Sequence, residues 1–198
     1  RDTGPAGEIE GATGSTTEVR VMVDEPGVPA PGEDAAAGLL LQAAETINSS
    51  LGSSDLERTI LGEAVRLSGA FGGALLVARG DVLVAQETLG LDERLRETFV
   101  VPLETSLYGR AMISGEVVLT ECADEHVCFG GAAGPGTPQA RTASRSVVIA
   151  PLRHHHAAPR ALALFFAAPP PFDDGTRAML GTLTIHAAIA LDNQRLME

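Results

Sequence analysis

Two short apolar runs near the end of the chain constrain its fold most. Ser146–Leu152 (SVVIAPL) and Ala161–Ala168 (ALALFFAA) are separated only by the polar stretch Arg153–Arg160 (RHHHAAPR). Runs of this length, rich in β-branched and aromatic residues and bounded by turn-forming segments, read as buried strands, and their spacing predicts a hairpin. A second pair lies upstream in Gly73–Thr88 (GALLVARGDVLVAQET), where Gly80 can adopt the positive φ that a tight turn needs. The tripeptide Arg79-Gly80-Asp81 is therefore read as a hairpin turn rather than an adhesion motif.

Helical patterns bracket these strands. Leu39, Leu40, Ala43, Ala44 and Ile47 recur at three-to-four spacing, and so do Leu56, Ile60, Leu61, Ala64, Val65 and Ser68. Ser54 with Glu57 three residues later predicts a capping box for the second helix. Ser106–Glu116 (SLYGRAMISGE) predicts a short helix begun by Ser106 and ended at Gly115, leading into the strand Val117–Thr120. Asp173 or Asp174 caps a last long helix, with Phe172 placed as a hydrophobic staple. Together these elements predict an α+β fold, an antiparallel sheet with helices segregated on one face.

Residues 1–37 are rich in Gly, Pro, Ser, Thr and Glu, with only Glu18–Val23 (EVRVMV) apolar. They bury too little to offset their ordering entropy and read as a flexible acidic linker before a domain spanning 38–198. The formal net charge is -12 and every cationic side chain is arginine, so the domain repels phosphate backbones and no nucleic-acid partner is expected. No apolar run is long enough to span a bilayer, so no membrane partner is expected either, and a cytoplasmic location follows. The chain opens at Arg1, and its final helix is still periodic at Glu198. Both points predict a segment of a longer protein with an output domain downstream.

Three local patterns resemble the GAF domain, a small-molecule sensor module related to PAS domains. They are Val101-Pro102-Leu103 with Ser106–Ala111 and Ser114–Val118, then Ser144–Leu152, then Phe172-Asp173-Asp174 with Leu180, Leu183 and Ala187–Asn193. The resemblance covers about Leu39 to Glu198. It implies a central antiparallel sheet of five to six strands, N- and C-terminal helices packed on one face, and a loop-covered pocket on the other. It also implies a regulatory role without catalysis in a bacterial signalling protein. A ligand would bind in the pocket, and the terminal helices, paired in a homodimer, would carry the response to an output domain such as a histidine kinase or a transcription regulator. Ala161–Leu164 departs from the glycine that the family often has in that strand.

The resemblance places the segment Thr120–Gly131 (TECADEHVCFGG) against the pocket. Ligand-facing candidates are Tyr108 and Arg141 as polar contacts, Phe129 as an apolar cap, and Cys122, His126 and Cys128. Metal binding is not expected, because five residues separate the two cysteines, where a zinc knuckle has two to four, and no second ligand pair follows. Covalent bilin attachment is not expected, because Phe129 rather than histidine follows Cys128. Two cysteines default to free thiols, with Cys122 packed as a small apolar residue. A redox-active loop would instead close a Cys122–Cys128 bond under mild oxidant, as in the free methionine sulfoxide reductase branch of the fold. A third possibility is a module without ligand that serves dimerisation or docking. His154–His156 read as a solvated turn, His186 as a packed core or interface residue, and Gly130–Gly136 as a flexible segment without the ending of a phosphate loop. No cofactor is assigned.

Overall fold

The computed structural model describes residues 33–122, 144–153 and 158–197. Its strands are β1 (Gly72–Arg79), β2 (Val82–Leu89), β3 (Val100–Pro102), β4 (Val118–Glu121), β5 (Ser146–Leu152) and β6 (Arg160–Phe166). They form one sheet in the order β3-β2-β1-β6-β5-β4, and every neighbouring pair is antiparallel. The helices are α1 (Glu33–Ser49), α2 (Leu56–Ser68), α3 (Glu93–Thr98), α4 (Leu107–Ser114) and α5 (Asp174–Met197).

The apolar runs are continuous because both faces of the central strands are covered. Leu75, Val148, Ala150, Leu152, Leu162, Leu164 and Phe166 face α1, α2 and α5, where Ile47, Ile60, Leu61, Leu183 and Ala187 meet them. The alternate residues Ala74, Leu76, Val147, Ile149, Ala161, Ala163 and Phe165 face Phe99, Val101, Tyr108 and Ala111. The β1–β2 register slips between Leu75 and Leu76, so that Leu75 opposes Glu87 and Leu76 opposes Ala85. Gln86 is the extra residue of this β-bulge, and its side chain and that of Glu87 both reach α2. Gly80 closes the β1–β2 turn at φ +60°, as its position predicts.

Helix starts follow local hydrogen bonding, with one departure from the sequence reading. Ser106 Oγ accepts from the Gly109 N–H at 3.1 Å and Gly115 ends α4 in the left-handed region, as expected. Asp173 is the side chain that caps α5, accepting from the Thr176 N–H at 2.7 Å, and this backbone donor holds its carboxyl below the usual carboxylate range. Phe172 meets Arg177, whose guanidinium lies 5.0 Å from the ring centroid, so a cation–π contact occupies the staple position. The Ser54–Glu57 capping box does not form. Asp55 occupies the N-cap of α2 without a side-chain cap bond, while Ser53 Oγ accepts from the Asp55 N–H. Glu57 is drawn instead to Gln86.

Helix α1 begins at Glu33, ahead of the apolar spacing that starts at Leu39, and packs on α5. Leu39 and Leu41 stay exposed, as do Ile185, Ile189, Leu196 and Met197 of α5. His186 is also exposed and is not a core residue, because the buried stripe of α5 runs through Leu183, Ala187, Ala190 and Leu191.

Candidate functional site

Helix α4 and the segment before it build the sheet face opposite α1, α2 and α5. Gly109 sits so close to Leu103 that a β-carbon there would lie 1.4 Å from the Leu103 carbonyl oxygen. This approach seats Tyr108 against the sheet, where it has no exposed surface. Its ring meets Phe99 edge-on, with centroids 5.9 Å apart at 86°, and Phe99 in turn lies 6.1 Å from Phe165. Burial removes the phenol from water and pushes its pKa far above the usual tyrosine range, so the hydroxyl stays protonated. Tyr108 therefore acts here first as the largest fully buried side chain of its layer.

Cys122 is brought to the same layer. It follows β4, its N–H donates to the Arg145 carbonyl at 2.8 Å, and its side chain packs against the cluster containing Tyr108 and Phe165. The expectation of a small apolar role thus holds, whereas that of a free thiol does not, because Cys122 is disulfide-bonded. The sequence contains one other cysteine, Cys128. Cys128, His126, Phe129 and Arg141 lie outside the described residues, as do His154–His156 and Gly130–Gly136. Among the described residues, no group of three or more His, Cys, Asp or Glu side chains could hold a metal ion, and no helix is long and apolar enough to cross a membrane.

Two arginines that the sequence reading did not single out tie this layer to the rest of the domain. Arg153, just past β5, donates through Nη2 to the Ser114 and Gly115 carbonyls at 3.2 and 3.1 Å and so satisfies the C-terminal turn of α4. Arg177, near the start of α5, donates through Nη1 to the Val117 carbonyl at 3.1 Å. Both ends of the α4–β4 connection are therefore held by guanidiniums from other elements. Their sequence signal is faint, since an arginine after a strand or in the first turns of a helix is usually solvated.

The GAF domain family model matches residues 50–192, from the turn before α2 into the last turns of α5. The chain belongs to the GAF domain family. Among solved structures, this GAF domain is similar to that of an Acinetobacter phosphoenolpyruvate-protein phosphotransferase. Identity is 16%, the TM-score is 0.66, and the match covers 83% of this chain and 97% of that one. It is also similar to the free methionine-R-sulfoxide reductase of Neisseria meningitidis, solved with its substrate. There identity is 16% and the TM-score 0.59, over 89% of this chain and 100% of that one. A segment of a methyl-accepting chemotaxis protein matches at 16% identity and TM-score 0.56, over 78% and 99%. No curated protein sequence matches the chain. At these identities the likeness is one of fold, and one fold carries different activities.

Proposed function

We propose that this GAF domain is a regulatory module. A small ligand bound over the Tyr108–Cys122 face shifts α4 and the start of β4, and the terminal helices pass that shift to an output domain. One observation carries the reading: Arg153 and Arg177 clamp the α4–β4 connection, and Arg177 belongs to α5, the helix that leads toward the C-terminus. A displacement of α4 changes the geometry of the Val117 acceptor and is felt at the first turns of α5. A ligand that binds one arrangement of that clamp better than the other biases the equilibrium between them. Family membership supports the sensory role, and the chemotaxis-protein segment gives it a precedent in another protein.

Amide hydrogen exchange tests the relay. Arg177→Ala is expected to speed exchange both in α5 and across Ser114–Val118, by roughly five- to tenfold for the loss of one charge-assisted hydrogen bond. Faster exchange confined to the first turn of α5, with Ser114–Val118 unchanged, would sink it.

The exposed apolar side chains Leu39 and Leu41 of α1 and Ile185, Ile189 and Leu196 of α5 support pairing of two copies through these helices. The competing role is docking or dimerisation without a ligand. Native mass spectrometry of freshly purified protein separates the two. The expected species is a dimer of the 20.4 kDa chain carrying additional small-molecule mass. A bare dimer favours docking, and a monomer at micromolar concentration overturns the paired-helix arrangement.

A further inference from the structure

At the β4 end of the sheet, α5 and the α4–β4 connection flank a groove of about 510 Å3. Val117 and Pro151 line it from the sheet, and Ile185, Ala188 and Ile189 line it from α5. Thr184, its one hydroxyl-bearing residue, donates to the Gly181 carbonyl at 2.8 Å and is already satisfied. Gly181 leaves open space, since nothing lies within 4 Å of a β-carbon built there. Two charged residues complete the lining. Asp192 has an interaction of its own within the chain. Arg153 is exposed, and only its Nη2 is engaged, by the neutral Ser114 and Gly115 carbonyls. A β-carbon at Gly115 would lie 1.8 Å from that nitrogen, so glycine there lets the guanidinium seat. Its Nε–H and Nη1–H groups donate to no described residue, and among the described residues no carboxylate pairs with it. A positioned, accessible cation thus stands beside apolar surface that gains by being covered.

We infer that this groove binds an aliphatic monocarboxylate, its head group accepting from Arg153 Nη1–H and its chain lying along Val117, Pro151 and Ala188. Three features select this class. The volume lies within the roughly 300–1,000 Å3 of small-molecule sites. The groove is long, because Gly181 and Asp192 are three turns of α5 apart, about 16 Å, which suits an extended chain better than a compact polar metabolite. The charges allow one anionic group only. Arg177 of α5 reaches the Val117 carbonyl, so the Gly181 end of the helix lies by the connection that Arg153 holds, and Asp192 stands toward the other end. A dicarboxylate would meet Asp192 there, and a dianionic head group is disfavoured by a chain whose net charge is -12. The occupant would join α5 to the α4–β4 connection, as an input separate from the Tyr108–Cys122 face. It uses only the groove sides of Ile185 and Ile189, so it stands or falls independently of pairing between two copies.

The test follows the Gly115, Gly181 and Ala188 amide resonances of the full 198-residue chain, 15N-labelled, during titration with acetate, hexanoate, octanoate or 1-octanol at constant ionic strength. Saturable shifts with octanoate are expected, with affinity rising by up to about fourfold for each added methylene group. Arg153→Gln removes the charge and should weaken octanoate at least about tenfold. Should Arg153→Gln not fold, Gly181→Leu fills the open space while leaving Arg153 in place, and it should weaken octanoate by a similar factor. The inference is overturned by shifts that never saturate, by acetate or 1-octanol binding as tightly as octanoate, or by unchanged affinity in a folded variant. Sedimentation of the same samples keeps the two readings apart: a dimer that ignores octanoate sinks this site alone, and a monomer that binds it supports the site while sinking the pairing.

Discussion

Gly109→Ala is expected to lower the unfolding free energy by about 3 kcal/mol or more and the thermal midpoint by on the order of 10 °C. The cause is steric. The new β-carbon would sit 1.4 Å from the Leu103 oxygen and 2.5 Å from its carbonyl carbon, both main-chain atoms that no rotamer change can move aside. Relief requires α4 to lift from the segment before it, which opens the contact of Tyr108 and Ala111 with the sheet. Gly62 of α2 is the matched control, because nothing lies within 4 Å of a β-carbon there. Gly62→Ala should stabilise the domain by about 0.5–1 kcal/mol through helix propensity. Differential scanning calorimetry reads both substitutions, and equal small effects at the two positions would mean that α4 does not approach Leu103 this closely.

Tyr108→Ala should cost about 3–5 kcal/mol, the range for removing a large aromatic ring from a packed core. Tyr108→Phe keeps the ring and isolates the hydroxyl, so a ligand that uses this hydroxyl loses affinity in Tyr108→Phe without a matching loss of stability. The same burial gives a pH dependence with a definite sign. In the folded chain the phenol is held far above its ordinary value, whereas in the unfolded chain it ionises near pH 10. The folded state therefore prefers the protonated phenol. That contribution is fully present below about pH 10 and is lost as pH rises further, since only the unfolded chain then gains by releasing the proton. Tyr108 is the only tyrosine, so the phenolate absorbance band reports this one group. It should stay silent in alkaline titration until circular dichroism shows unfolding. A phenolate signal near pH 10 from a chain that is still folded would contradict the enclosure of Tyr108.

Elements with local punctuation were legible in the sequence. Ser106 and Gly115 bracket α4 because their hydrogen bonding and φ preference act within a few residues, and Ser146–Leu152 is a strand with the expected ends. The capping box failed for a non-local reason. Glu57 is claimed by Gln86, 29 positions away, and only the bulge in β2 brings the two together. Helix α3, of six residues, and the three-residue β3 escaped notice because so short a segment carries too few periods to register. The family resemblance places Tyr108 at the pocket face; its spacing with Ala111 is that of a buried helical stripe, and the structure encloses the whole ring accordingly. His186 shows the converse. Apolar residues ring α5 more widely than the stripe that packs, so Ile185, His186 and Ile189 share its outer side.

The strand order also bears on how copies of the domain could associate. The sheet ends on one side in β3, three residues closed by Pro102, and on the other in β4, four residues ending at the charged Glu121. Unpaired edges recruit other chains when they are long, flat and apolar; short edges that finish in proline or a carboxylate give an incoming strand few partners. Continuous sheets spanning two molecules, and the fibrillar association they nucleate, are thereby disfavoured among the described strands. Under the pairing proposed above, two copies would meet through the outer surfaces of α1 and α5, and that contact would form and dissolve without breaking a ladder hydrogen bond.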